Sequence, residues 1–366
     1  MTAPAAICAW HEPARARLAE LRARGNWPHA LLLHGKAGTG RRDFARAVAA
    51  ALLCEAPGAD LRACGRCVSC LLLAAGSHPD LKVFRSAWFE HIEGDADPAD
   101  AADEGEGGSG KRLSREIPVD TIRRLADFAA LASHRGGVRV ALLYPADGMN
   151  HVAANTLLKT LEEPPPGLVF VLLAESLDRL LPTVRSRCQA VALPAPDAAA
   201  AAAWWTAHAP QHDIALLALA DHAPFTALAL AQSPIAATAA RLHDALADPL
   251  GMDIPGLARA IETDLRRADR DAPRGGSVFS ADPGTVIAWL QGWMRDLVGV
   301  SLAGSLRYHP ARSGQLTRLA AQTSVHRALD YLRWLADAAR HARQPLGMAL
   351  FLEDCLGRYR ALFRDA

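Results

Sequence analysis

Four short apolar runs mark the first half of the chain: Ala30–Leu33, Leu81–Phe84, Val138–Tyr144 and Leu168–Leu173. The last two are apolar almost throughout, the pattern of parallel strands covered on both faces. Between them, Ile122, Leu125, Ala126 and Ala129 recur at helical spacing, with Pro118 ahead as a start signal. The spacing also predicts helices over about 41–53 and 151–162, the second stopped by Pro164-Pro165-Pro166. Strands alternating with helices predict an α/β domain with a mostly parallel sheet. The alternation ends near Leu193. From Pro194 onward the segments are Ala-rich and helical, without a convincing strand. A linker-like stretch at 268–284 precedes two further helical patterns, one through Trp289, Trp293 and Leu297, the other through Leu329, Leu332 and Leu335. The expected organisation is an α/β domain over 1–193 followed by helical parts over 194–250 and 251–366.

Composition narrows the possibilities. The 366 residues are 51% hydrophobic and 22% charged, enough to bury sizeable cores. Lys+Arg minus Asp+Glu is 40 − 39 = +1, which argues against a surface built wholly to hold nucleic acid. Residues 90–106 nevertheless carry eight acids and no Lys or Arg, so an exposed, acidic, glycine-rich insertion loop is expected over 90–110. Residues 111–139 hold seven Lys/Arg against three acids, read as a solvated face, with a few phosphate contacts inside a larger complex as the alternative. The longest uncharged stretch, between Asp221 and Arg241, is broken by Pro224 and Pro234, so no membrane span is expected. The N-terminal residues lack a basic region followed by an apolar one, and a cytoplasmic location is expected.

Chemistry first enters at Gly35-Lys36-Ala37-Gly38-Thr39-Gly40-Arg41-Arg42, between a strand and a helix. That is the context of a phosphate-binding loop, whose glycines and helix N-terminus face an anion. Its two chemical positions are altered. Arg41 stands where Lys would neutralise phosphates, and Arg42 stands where Ser or Thr would ligate Mg²⁺. The apolar run 138–144 leads into Pro145-Ala146 rather than an acidic pair, with Asp147 two residues late. A loop that kept its scaffold and lost hydrolysis is expected, so Gly35, Gly38, Gly40, Arg41 and Arg42 should bind no nucleotide. An accidental glycine turn in an unrelated α/β protein is the plainer alternative.

Cys54-x9-Cys64-x2-Cys67-x2-Cys70 places four thiols within one short segment. Four thiolates satisfy tetrahedral Zn²⁺ with no open position, so a structural site is expected. Two disulfides, an iron–sulfur cluster or simply buried thiols are the alternatives, disulfides being disfavoured where thiols stay reduced. Cys8, Cys188 and Cys355 are scattered and read as small buried apolar residues.

The segment Leu180-Leu181-Pro182-Thr183-Val184-Arg185-Ser186-Arg187-Cys188 carries three nearby arginines with Arg179, which alone would read as a solvated helix face. Asn155-Thr156-Leu157-Leu158-Lys159-Thr160-Leu161-Glu162-Glu163-Pro164-Pro165 lies about twenty residues before Ser186-Arg187-Cys188. Together they closely resemble the clamp-loader subunits of the AAA+ family. The four-cysteine insert, the run Ala75-Gly76-Ser77-His78-Pro79-Asp80 and Pro28-His29-Ala30-Leu31-Leu32 look like the same group. The resemblance is strong over roughly 10–193. It is weaker beyond, where Gln344-Pro345-Leu346 and Leu352-Glu353 look like the family's C-terminal collar.

The resemblance implies an α/β AAA+ domain with an inserted zinc module (54–70), a small helical lid domain (194–250) and an all-α collar (251–366). It implies membership of a pentameric clamp loader with tau/gamma ATPase subunits and a delta subunit. Such an assembly places a sliding clamp on primed DNA, polymerisation itself lying in another subunit. With its altered loop, this chain would be the non-hydrolysing stator. Arg187, within Ser186-Arg187-Cys188, would reach into the ATP site of a neighbour as an arginine finger, a permanently charged planar donor to the transferred phosphoryl group. A sensor arginine of the ATPase relatives would fall at His222-Ala223-Pro224-Phe225, with Phe225 in its place. Two other readings are an ATP-hydrolysing relative in which Arg41 replaces the loop lysine, and a zinc-bearing nucleic-acid-binding protein with no motor role.

Overall fold

The computed structural model describes residues 7–93, 114, 116–233, 235–270, 282–342 and 347–364. In chain order, the first half contains α1 (Glu12–Ala23), β1 (Ala30–Gly35), α2 (Arg41–Leu53), α3 (Val68–Ala74), β2 (Leu81–Arg85) and α4 (Ala87–Glu93). These are followed by α5 (Val119–Ala130), β3 (Arg139–Tyr144), α6 (His151–Glu162), β4 (Leu168–Ala174), α7 (Pro182–Arg185) and β5 (Gln189–Leu193). The five strands form one parallel sheet in the order β2-β3-β4-β1-β5. Successive side chains of a strand point to opposite faces. Leu32, Leu143, Phe170 and Leu172 therefore pack with α5 and α6 on one side. Leu31, Leu33, Leu142, Val169 and Val171 pack with α1 and α2 on the other. Covering both faces is what makes β3 and β4 uninterrupted apolar runs.

The four expected strands and the helices over 41–53 and 151–162 are all present. β5 is an addition, a short edge strand beside β1 whose Gln189 and Ala192 are exposed. The expected acidic loop needs correction at its start. Residues 90–93 belong to α4, and the Glu93 side chain is only 8% exposed. Residues 94–110 lie outside the described residues, as do Lys111, Arg112, Arg115, most of the expected linker and Gln344–Leu346. Arg139, counted above with a solvated face, is also corrected. It is buried and donates to the carbonyls of Phe128 and Ala129 at the end of α5, and to that of Pro166.

The chain divides into two compact units, Met1–Pro196 and Asp197–Ala366. The second is helical throughout its described residues: α8 (Ala198–His208), α9 (Ala215–Leu219), α10 (Pro224–Ala231), α11 (Ile235–Leu246), α12 (Ile254–Arg270), α13 (Pro283–Ala303), α14 (Ser313–Ala320), α15 (Val325–His341) and α16 (Met348–Ala361). One buried cluster runs through it from Ala201 to Phe363. Trp289, Trp293 and Leu297 form the buried stripe of α13 as expected. On α15 the stripe falls on Ala328, Tyr331, Leu335 and Ala338, with Leu329 and Leu332 on its flanks. Phe225 packs against Trp204 with ring centroids 4.9 Å apart. No helix among the described residues is long and apolar enough to cross a membrane.

Several polar groups inside this second unit are paired. Asp296 accepts the backbone N–H groups of Arg307, Tyr308 and His309 and faces His309 Nδ1 at 3.0 Å. The other ring nitrogen of His309 lies 3.1 Å from His243 Nε2. Tyr359 accepts from Trp293 Nε1 at 2.9 Å and donates to the Leu246 carbonyl at 2.7 Å. These contacts tie α11, α13 and α16 together where apolar packing alone would leave buried donors unmet.

Candidate functional site

The glycine loop leaves the C-terminal end of β1, between β4 and β5. Gly38 and Gly40 have φ of 71° and 85°, the left-handed region that glycine enters without strain. At Gly35 a Cβ would come within 2.4 Å of the Leu193 carbonyl, so the close approach of β5 also requires glycine. Thr39 is fully buried; its hydroxyl donates to the Lys36 carbonyl at 2.8 Å and its carbonyl accepts from Trp10 Nε1 at 2.9 Å. Contacts within the chain thus fix the loop's shape.

Both arginines that close the loop are bound internally. Arg41 Nη1 donates to the Ala174 carbonyl at the end of β4, 2.6 Å away, and burial lowers the pKa of its guanidinium. Asp147, the late acid, accepts the backbone N–H groups of Glu175 and Ser176 at 3.2 and 3.3 Å, so its carboxylate braces the turn after β4. Arg42 pairs with Glu93. Glu93 also binds Arg85, Arg46 Nη2 at 2.7 Å and the Tyr144 hydroxyl at 2.5 Å. Burial, followed by the Glu93 charge, raises the Tyr144 pKa. One carboxylate from α4 thus gathers three guanidiniums from α2 and β2 and a phenol from the end of β3. Sequence spacing gave no sign of this cluster, because its members are scattered from position 42 to position 144.

The four cysteines converge. Their sulfurs all lie within 4.8 Å of one another, with 3.8 Å between Cys54 and Cys67, 3.9 Å between Cys64 and Cys70, and 3.7 Å between Cys54 and Cys70. A metal–sulfur bond of about 2.3 Å gives a tetrahedron with edges of about 3.8 Å, so the cluster is the right size to hold a metal ion. Backbone N–H groups point at three of the sulfurs: Cys64 to Cys54 at 3.2 Å, Cys67 to Cys64 at 3.4 Å and Cys70 to Cys67 at 3.4 Å. The N–H groups of Arg66 and Cys67 pull the Cys64 thiol down to about 6, favouring the thiolate that a metal needs. Around the cluster, Glu55 accepts the backbone N–H of Ser69 at 3.2 Å and pairs with Arg135 at 2.7 Å. Asp80, which closes the run 75–80, is buried and accepts from Ser133 Oγ and from the N–H groups of His134 and Arg135. That run therefore braces the loop between α5 and β3, a role its sequence alone did not reveal.

Ser186-Arg187-Cys188 forms the turn between α7 and β5. Ser186 Oγ donates to the Thr183 carbonyl at 3.1 Å, and Cys188 packs against the core beneath, where burial pushes its thiol up to about 12. Pinned on both sides, the turn leaves Arg187 at the surface. Its Nη2 lies 2.6 Å from Glu162 at the end of α6, and its Nη1 donates to the Thr183 carbonyl at 2.8 Å. Asn150 starts α6 by accepting the Ala153 N–H at 2.8 Å, and the segment from Asn155 to Pro165 meets the Ser-Arg-Cys turn through Glu162 and Arg187.

The family model described as DNA polymerase III, delta subunit, matches residues 10–197, just over half of the chain. A DNA polymerase III subunit delta' of Pseudomonas aeruginosa is 40% identical over 212 residues, covering 57% of this chain and 57% of that protein. The Escherichia coli subunit delta' is 32% identical over 226 residues, 61% of this chain and 60% of that protein. A DNA polymerase III subunit gamma/tau of Mycobacterium tuberculosis is 32% identical over 163 residues, 44% of this chain and 24% of that protein. The match to the subunit delta' relatives thus spans a little more than half of their length. With the parallel sheet, the glycine loop and the cysteine cluster all inside the matched residues, the chain belongs to the DNA polymerase III delta subunit family.

Proposed function

We propose that the chain is a non-hydrolysing subunit of a clamp loader, acting as its stator and supplying Arg187 in trans to the ATP site of a neighbouring tau/gamma-type ATPase subunit. Its partners would be those ATPase subunits, a delta subunit and, through the assembly, the sliding clamp and primed DNA. Within the helical unit, residues 194–250 would serve as the lid and 251–366 as the oligomerising collar. The observation that carries this reading is the contrast between two kinds of arginine. Arg41 and Arg42, at the chain's own loop, are bound to the Ala174 carbonyl and to Glu93, whose side chain is 8% exposed, whereas Arg187 is paired on a surface turn with Glu162, whose side chain is 49% exposed. A permanently charged planar donor at the surface can stabilise charge on a phosphoryl group held by another subunit.

The cysteine cluster would hold a structural Zn²⁺, with Cys54, Cys64, Cys67 and Cys70 as its four ligands. Sulfur-only donors in a closed tetrahedron support zinc over the hard, oxygen-seeking cations. The ion would stabilise the fold of residues 54–70, and no step of catalysis would involve it.

The test is reconstitution of the complex with wild-type chain or Arg187→Ala. The expected result is an assembled complex whose DNA-stimulated ATPase and clamp loading are clearly reduced, a trans arginine being worth about 10³- to 10⁵-fold in rate at the site it serves. Unchanged rates would remove the finger role. Turnover of Mg·ATP by the isolated chain would favour the hydrolysing alternative instead.

A further inference from the structure

Arg187 does not project freely. Its Nη1 folds back one turn onto the Thr183 carbonyl at 2.8 Å and approaches Ser186 Oγ at 3.4 Å, while Nη2 meets Glu162 at 2.6 Å. Glu162 is the last residue of α6, and the prolines at 164–166 end the helix there, which fixes where its carboxylate sits. The pair is open to water, with side-chain exposures of 34% for Arg187 and 49% for Glu162.

We propose that Glu162 is a positioning residue that holds Arg187 folded against its own turn and competes for it with the polyphosphate of a nucleoside triphosphate bound by the neighbouring subunit. This rests on the reading of Arg187 as a trans-acting finger. A carboxylate carries one negative charge and the β,γ-phosphates carry more, so an assembled neighbour can draw the guanidinium away. Exposure makes the exchange cheap. A solvated ion pair holds its partners by about two- to fivefold, whereas a buried pair would resist release far more strongly. While Arg187 is held, only a fraction of molecules can engage, and the apparent affinity of the shared site falls by that fraction.

Removing the carboxylate's charge should therefore release the finger without altering the engaged state. In the reconstituted complex, Glu162→Gln is expected to lower the apparent KM for ATP by about two- to fivefold, with kcat unchanged. Glu163→Gln removes the same charge from the exposed neighbouring position, outside the ion pair, and is expected to leave KM as in wild type. Glu162→Gln combined with Arg187→Ala is expected to match Arg187→Ala alone, because the latch has nothing left to hold. If Arg187→Ala impairs the complex while Glu162→Gln behaves like wild type, the latch is overturned and the finger stands. The latch is also overturned if Glu162→Gln lowers kcat, since the carboxylate would then be orienting the engaged finger. If Arg187→Ala has no effect, the finger reading fails and the latch with it.

Discussion

Arg42 and Glu93 form an ion pair, one from the first turn of α2 and the other from the last residue of α4. The arginine occupies the position where a phosphate-binding loop would present a hydroxyl to Mg²⁺. Its charge is answered by a carboxylate of the same chain. Arg46, Arg85 and Tyr144 share that carboxylate, so Glu93 offsets one of the three positive charges gathered around it.

Glu93→Gln keeps the shape and removes the charge that Arg42, Arg46 and buried Arg85 share. Breaking a largely buried ion pair from one side costs about 3 kcal/mol. Arg46→Gln should cost about 1 kcal/mol or less, because its side chain is 41% exposed and partly screened. Urea unfolding curves of the two variants check the ranking. Equal losses would show that Glu93 is not the hub of the cluster.

Cys67→Ser removes one sulfur from the tetrahedron, and three ligands hold a structural ion far less tightly than four. The expected outcome is loss of bound zinc from the purified protein, measured by elemental analysis, and a lower melting temperature. Chelation of the wild type should give the same melting curve as the variant. Cys188→Ser lies outside the cluster and should retain zinc. If the wild type prepared without chelators contains no zinc, the assignment of the ion is wrong.

The parts of this fold that were legible in the sequence are those encoded by neighbours. β3 and β4 read as strands because both faces are covered, which leaves no polar position in Val140–Leu143 or Val169–Leu173. The convergence of the four cysteines was legible because all of them fall between positions 54 and 70. β5 was not, since an edge strand with Gln189 exposed lacks the continuous apolar run of a central one. α4 was hidden in an acidic run, where Glu93 looks like its neighbours in sequence and differs only in what surrounds it. Its partners come from α2, β2 and β3, and only the folded sheet brings these together. Arg139 misled for the same reason: a cation in a basic stretch reads as solvated until the end of α5 supplies carbonyls for it.

Asp80→Ala should loosen the connection between α5 and β3. The buried carboxylate accepts from Ser133 Oγ at 3.1 Å, the His134 N–H at 2.8 Å and the Arg135 N–H at 3.1 Å, and the alanine variant leaves those donors unmet. Losing hydrogen bonds to a charged acceptor in a buried position costs about 2 to 3 kcal/mol. Hydrogen exchange resolved by residue should show the His134 and Arg135 amides losing protection first. Unchanged protection there would mean that the loop is held by other contacts.

His11 gives the first unit a pH dependence whose sign can be stated. The ring is fully buried against Phe44, 5.4 Å between centroids, and neither of its nitrogens has a hydrogen-bond partner among the described residues. Burial, and then the charge of Arg41, lower its pKa from 6.5 to about 4. The folded protein therefore keeps His11 neutral through a range in which the unfolded chain takes up a proton. Stability contributed by the neutral ring is intact above pH 6.5 and is lost as pH falls towards 4, by about 1.4 kcal/mol per unit. Between pH 7 and pH 5 the loss from this group comes to about 2 kcal/mol. His11→Phe keeps an aromatic ring beside Phe44 and removes the titration. Other lowered histidines, among them His34 and His78, titrate in both proteins, so the difference between variant and wild type isolates His11. Urea unfolding followed by tryptophan fluorescence at both pH values measures that difference. A variant that loses as much stability as the wild type on acidification would show that His11 is already protonated, or hydrated, in the folded protein.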